Sequence, residues 1–256
     1  MLESYIRNRL QEKKILLMTH IVIGYPSLEE SYNIVEKMVA AGVDLMELQI
    51  PFSEPMADGP VILKANQMAL EQGVTLSDCF TFAKHASKQF DIPFLFMTYY
   101  NILYKYGVEK FAAKIKESGI RGAIIPDLPP EEGQVYIQTM QAKGLSPIFI
   151  YAPNTSNERM GLLADSGSGF IYCVARKGVT GRETDFTHEL GSYLQRCRQA
   201  TKLPLAVGFG VKDREDVQYL TGKADIAVIG SQTIRLVEEQ GVGAVTDFIL
   251  NLREDN

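Results

Sequence analysis

Three observations predict a (β/α)8 barrel for this chain. Short apolar segments rich in Val, Ile and Phe recur eight times along the 256 residues, each bounded by Gly, Pro or polar clusters. Unbroken apolar runs of this kind suit parallel strands that are buried on both faces. Amphipathic segments of helical period alternate with them along the whole chain. No linker, low-complexity tract or change of composition interrupts the alternation, so residues 1–256 are expected to form a single domain. An open doubly wound sheet is the competing arrangement, but no Gly-x-Gly-x-x-Gly follows the first strand.

The elements follow in order. Residues 2–13 alternate apolar and charged positions and predict an extra N-terminal helix. Leu16 to Ile23 is the first strand, broken by Gly24-Tyr25-Pro26. Ser27 and Glu30 form a capping box, after which Leu28, Tyr32, Val35, Met38 and Val39 recur at helical spacing. The second strand is 44–50, followed by a proline-rich loop and helices at 61–72 and 77–89. The third strand is Pro93 to Tyr100, with a helix at about 108–118. The fourth is Gly122 to Pro126. Asp127 and Pro129-Pro130 then start a helix with Glu131 and Glu132 in its first turn, where carboxylates suit the helix dipole. The fifth is Pro147 to Ala152, with Thr155 and Glu158 capping the next helix. The sixth is Phe170 to Ala175, followed by a long polar loop at about 176–187 and a helix to about 200. The seventh, Leu205 to Phe209, ends in Gly208-Phe209-Gly210. The eighth, Ile226 to Ile229, ends in Gly230-Ser231, and two short helices close the chain.

Composition removes several function classes. A net charge of −5 argues against nucleic acid, whose binders present a basic face. No apolar run reaches the roughly 18 residues of a membrane span. The N-terminus lacks the apolar core of a signal peptide. Cys79, Cys173 and Cys197 are widely spaced, and neither they nor His20, His85 and His188 show metal-ligand spacing. A reducing cytoplasm and no metal site are therefore expected.

In a barrel the chemistry lies at the C-terminal strand ends. Alternation on the second strand puts Leu45, Glu47 and Gln49 on one face and Met46, Leu48 and Ile50 on the other. The apolar face should meet the helices, which turns Glu47 into the barrel near its mouth, where a carboxyl suits general acid–base work. Asp58 lies in the following loop, stiffened by Pro51, Pro55 and Pro60. It is either a second site carboxylate or the N-cap of the next helix, and position alone leaves both open. Glycines ending the seventh and eighth strands, with Ser231 opening a helix, suit a phosphate. The 176–187 loop, with Gly178 and Gly181, has the length and hinges of a lid. His20 is expected to face inward, where a lone histidine is more often a core residue than a catalyst. Tyr99, Tyr100 and Tyr172 lie near strand ends, available either to the core or to an aromatic ligand.

Taken together, Glu47-Leu-x-Ile-Pro-Phe-Ser-x-Pro-x-Ala-Asp-Gly-Pro60, Met97-Thr98-Tyr99-Tyr100-Asn101, Pro126-Asp127-Leu128-Pro129, Gly178-Val179-Thr180-Gly181, Gly208-Phe209-Gly210 and Gly230-Ser231 resemble the tryptophan synthase α subunit family, in order and over the whole chain. The resemblance implies a lyase that cleaves indole-3-glycerol phosphate to indole and glyceraldehyde 3-phosphate. Glu47 would move the protons and Asp58 would accept the indole N–H. Gly181, Gly210, Gly230 and Ser231 would hold the phosphate. Tyr172 would help hold the substrate, Met97, Tyr99, Ile124, Ile150 and Phe209 would wall the indole, and Thr180 would fix Asp58. It also implies a β subunit as partner in an α2β2 heterotetramer, with pyridoxal phosphate on that partner and no cofactor here. Another phosphate-binding barrel isomerase, or a non-catalytic subunit that activates a β-type partner, are the alternatives. The sequence departs from the family pattern at Gln49, usually Gly, whose amide could crowd the pocket or donate to Glu47. It departs also at Glu54, usually Asp, at the partner contact. His20 stands where an aromatic residue usually meets the indole, and Ile102 where Pro is common.

Overall fold

The computed structural model describes residues 1–174, 188–208 and 210–253. Eight parallel strands close into a barrel in chain order, the eighth pairing back with the first. The elements run α1 (Leu2–Arg9), β1 (Leu16–Val22), α2 (Leu28–Ala40), β2 (Leu45–Gln49), α3 (Pro60–Glu71), α4 (Leu76–Gln89), β3 (Phe94–Met97), α5 (Tyr100–Tyr106), α6 (Val108–Glu117), β4 (Gly122–Ile124), α7 (Gln134–Ala142), β5 (Ser146–Tyr151), α8 (Asn157–Ser166), β6 (Ile171–Val174), α9 (His188–Ala200), β7 (Leu205–Gly208), α10 (Arg214–Leu220), β8 (Ile226–Ile229), α11 (Ser231–Gln240), a 3-10 turn (Val242–Ala244) and α12 (Val245–Asn251).

The core has two layers, as strand alternation requires. Met46, Leu48 and Ile50 join the outer layer between strands and helices. Leu45, Leu95, Met97, Ile124 and Ile148 fill the interior. Leu2 and Ile6 of α1 belong to that inner cluster, so the extra helix covers one end of the barrel. Its polar contacts show which end. Tyr5 Oη donates to the carbonyl of Asp44, just before β2, and Arg7 donates to that of Lys202, just before β7. These are N-terminal strand ends, and the opposite end is left for the site.

Three local expectations are corrected, each by a partner distant in sequence or by a turn. β3 stops at Met97 because the Tyr100 N–H turns to the Asp127 carboxylate, at 2.9 and 3.1 Å, and opens α5. Glu131 and Glu132 precede α7 rather than start it, since Pro129 to Gly133 forms a turn in which Gly133 N–H bonds Pro129 O at 3.0 Å. Ser156, not Thr155, caps α8, while Thr155 Oγ1 accepts from the Ala152 N–H. Ser27 caps α2 by accepting from Glu30 N–H.

Asp44 fastens the closed end. It is 1% exposed and accepts from Leu17 N–H at 3.0 Å, Lys13 Nζ at 2.6 Å, Arg9 at 3.3 Å and Arg253. Burial alone would raise its pKa, but Arg253, Lys13 and the Leu17 amide together hold it below the usual carboxylate value. A depressed folded pKa contributes stability that is full above the unfolded value, about 3.9, and is lost as pH falls through the folded one. Asp44→Asn should cost about 3 kcal/mol at pH 7 in urea unfolding, the low end for breaking a buried pair because the cations keep contact with water. The gap to wild type should close below about pH 4. A gap that does not change with pH would refute the ionic account.

Candidate active site

The inward face of β2 builds the open end. Glu47 is 4% exposed and Gln49 fully buried. The β1–β2 register sets His20 against Glu47, and His20 Nδ1 lies 3.2 Å from Glu47 Oε1. Burial pulls the His20 pKa down. The neighbouring Glu47 carboxylate, Asp58 and Gln49 outweigh it, and the net direction is upward. On the other side, Gln49 registers with Met97 and Met97 with Ile124, which carries the inner wall around to β4.

The loop after β2 is held from three sides. Its Phe52 N–H donates to Asn66 Oδ1 at 2.9 Å, and Phe52 stacks on Tyr99 with ring centroids 5.1 Å apart. Ala57 N–H donates to Tyr99 Oη at 3.1 Å. Asp58 does not cap the next helix, since Gly59 occupies that position with Pro60 behind it. Its carboxylate turns inward instead, where Oδ2 accepts from Gln49 Nε2 at 2.7 Å and from Tyr99 Oη at 3.0 Å. Burial raises the Asp58 pKa and Glu47 adds to it, against His20 and the two hydrogen bonds, and the net shift is upward. A carboxylate can only accept, so the Gln49 amide must present its NH2 to Asp58. The Gln49 amide is therefore committed to Asp58, with a longer 3.4 Å contact to Asn66, and not to Glu47.

Tyr99 lies in the inner cluster with Met97 and Ile124, and Ile150 and Tyr172 pack against it. The Tyr172 phenol is pushed well above its ordinary pKa by burial, then by the charges of Glu47 and Asp58, which places it on the same site. At the far side, Gly210 has a φ of +116° that favours glycine, and Gly230 caps α11, whose first residue is Ser231. Thr180, Gly181, Phe209 and the 176–187 loop lie outside the described residues.

Three contributors have roles that the sequence analysis does not assign to them. Asn66 interrupts the buried Ile62, Ala65, Ala69 face of α3, a polar residue needing a partner there. Phe52 is an aromatic in a turn-forming loop. Gly208 gives Tyr172 its room, since a Cβ there would lie 2.4 Å from the tyrosine oxygen. Among the described residues no group of three His, Cys, Asp or Glu could hold a metal, and no helix is long and apolar enough to cross a membrane.

A closed parallel barrel with acidic groups and an apolar wall at its C-terminal mouth falls in the class of (β/α)8-barrel enzymes. Within that class the chain belongs to the tryptophan synthase alpha chain family, whose family model matches residues 6–251, and it is thereby a carbon–carbon lyase of tryptophan biosynthesis. It is 66% identical to the tryptophan synthase alpha chain of Desulforapulum autotrophicum over 98% of this chain and 100% of that one. It is 64% identical to that of Syntrophotalea carbinolica over 99% and 100%. A solved tryptophan synthase of Mycobacterium tuberculosis superposes with a TM-score of 0.92 at 28% identity, covering 98% of this chain and 96% of that one.

Gln49→Leu removes a donor from Asp58 while keeping the volume. A hydrogen bond to a charged group is worth about 1.5–3 kcal/mol, so kcat/KM for indole-3-glycerol phosphate should fall about 10- to 100-fold. A loss under about twofold would show that Tyr99 alone holds Asp58 in place.

Proposed function

We propose that this mouth cleaves indole-3-glycerol phosphate to indole and glyceraldehyde 3-phosphate through Glu47 and Asp58. The observation that supports the proposal is the nearness of both carboxylates to Tyr172, with Asp58 bonded to Tyr99, beside the inner apolar cluster of Met97, Tyr99 and Ile124 against which Ile150 and Tyr172 pack. Glu47 gives a proton to indole C3, and the ring nitrogen becomes cationic. Both hydrogen-bond donors fall on Oδ2 of Asp58, which leaves Oδ1 to accept the indole N–H and balance that charge. The Glu47 carboxylate then takes the glycerol hydroxyl proton as the carbon–carbon bond breaks. The bonding pair returns to the ring, so the nitrogen serves as electron sink and proton transfers suffice. Gly230 and Ser231 supply backbone N–H groups at the N-terminus of α11 for the phosphate, and Gly210 after β7 supplies another. Gly181 as a further phosphate contact, Phe209 in the indole wall and Thr180 against Asp58 rest on the family resemblance.

The partner in this reading is a tryptophan synthase β subunit in an α2β2 complex, which carries pyridoxal phosphate, while this chain needs no cofactor. A solved relative from Pyrococcus furiosus, 31% identical with a TM-score of 0.86, belongs to a tryptophan synthase α2β2 complex in which activation is mutual. Glu54 and Met56, the latter 74% exposed, project from the loop that carries Asp58, where docking would reach the site directly. Three buried free thiols fit a reducing cytoplasm.

Purified protein should release indole from indole-3-glycerol phosphate, faster with a β subunit present. Glu47→Gln should lower kcat at least about 10²-fold, the usual scale for losing a general acid–base group, and Asp58→Asn comparably. Wild-type turnover in the Glu47 variant would remove it from the mechanism.

A further inference from the structure

One titratable group at the site has no part in that reaction. His20 is 4% exposed and sits on the inward face of β1, beside Glu47. Filling space between strands would need only an apolar ring. An imidazole instead brings two polar nitrogens out of water, which costs free energy unless both are satisfied. Nδ1 has Glu47 Oε1 at 3.2 Å. Nε2 of His20 and Oε2 of Glu47 are buried with no hydrogen-bond partner among the described residues. A histidine held for structure would have its nitrogens paired. This pair uses one polar atom of each member on the other, and beyond Glu47 the imidazole is met by the neutral Gln49 side chain of β2.

We propose that His20 is the proton-holding partner of Glu47, so that the pair, rather than the carboxyl alone, stores the proton delivered to indole C3. The inference rests on the reading of Glu47 as the acid–base group. One proton lies between Nδ1 and Oε1 in the resting site. It passes to the carboxyl and from there to C3, leaving a neutral imidazole and a carboxylate. The carboxylate then takes the hydroxyl proton as the carbon–carbon bond breaks, and the pair again holds one proton. No net proton is gained or lost. His20 acts through Glu47 and is a positioning residue for that proton.

The titratable groups facing His20 are Glu47 from β2 and Asp58 from the loop beyond it, with Tyr172 and Tyr99 behind them. Toward α2 and α11 it shares a small cavity with Ile34, Thr233, Ile234 and Val237, where Tyr25 is the other titratable side chain. Beyond β8 it meets Gly230, which is uncharged. The carboxylates therefore dominate, and the pair should keep its proton to a pH above the ordinary histidine value of about 6.5.

The test compares the pH profile of kcat in wild type and His20→Phe, which keeps an aromatic ring in the barrel. In wild type the alkaline limb should lie above about pH 6.5. In His20→Phe it should move down by at least about one unit, so that kcat at pH 8 falls about tenfold further from its optimum. Profiles that superimpose after scaling would overturn the proposal, because a packing role changes kcat or KM without moving the limb. A second readout does not need activity. The His20 imidazole, assigned in NMR spectra by its loss in His20→Phe, should titrate above about pH 6.5 in wild type and at least about one unit lower in Glu47→Gln. An unmoved midpoint overturns the pairing. If Glu47→Gln is inactive while the His20 midpoint stays put, only this inference fails. If Glu47→Gln turns over normally, the reading of Glu47 fails instead.

Discussion

The open end of this barrel depends on one burial constraint. Period-two alternation on β2 sends Glu47 and Gln49 into an interior that water does not reach freely. A buried carboxylate costs several kcal/mol unless it is paired, so the neighbouring elements must supply partners. β1 supplies His20. The loop after β2 supplies Asp58, β3 leads into Tyr99, and α3 supplies Asn66. The result is a connected network in which Asn66 holds the loop backbone, Tyr99 and Gln49 hold Asp58, and His20 faces Glu47. The loop that carries Asp58 is ordered by the same polar groups that surround the chemistry.

The two ends of β2 put carboxylates to opposite uses. Asp44 enters the strand at the closed end and Asp58 follows it at the open end. Asp44 is fully buried and Asp58 half-buried, and their pKa values move in opposite directions. Asp44 meets three cations and a backbone N–H, so its charge is fixed and serves to bind α1 and the C-terminal segment to the barrel floor. Asp58 meets neutral donors and the partial compensation of His20, so burial dominates and its pKa is raised. The division follows the general rule that one face of such barrels carries stability and the other carries chemistry.

What the sequence makes legible follows the same physics. Strand order, the inward face of β2 and the closing helix α1 come from apolar periodicity, a local property. The unread features depend on partners far along the chain. α5 begins at Tyr100 because Asp127, 27 residues on, takes its N–H. Asp58 leaves the helix cap because Gln49 and Tyr99, 9 and 41 residues away, bind it. For Gln49, the residue type and inward direction are readable but its partner is not, since Asp58 lies in the loop nine residues on. Asn66 was the readable exception, because a polar residue on an apolar helix face by itself marks a buried hydrogen bond.

By the resemblance, Gln49 and His20 are the two inward positions where this chain departs from the family pattern, and they stand on neighbouring strands beside the same carboxylates. Asp58 takes the amide NH2 of Gln49, which commits the Gln49 oxygen to the opposite direction. That oxygen is buried without a hydrogen-bond partner among the described residues, while Gln49 contributes to raising the His20 pKa from the neighbouring strand. An acceptor oxygen favours a protonated imidazole, and a protonated imidazole favours, at longer range, an ionised Asp58. A glycine at 49 would leave His20 facing two carboxylates with no neutral acceptor between them. An apolar ring at 20 would leave the Gln49 oxygen with nothing to attract. Each residue supplies what the other lacks, so the pair brings a basic group into the barrel mouth while Asp58 stays anchored from the same strand as Glu47.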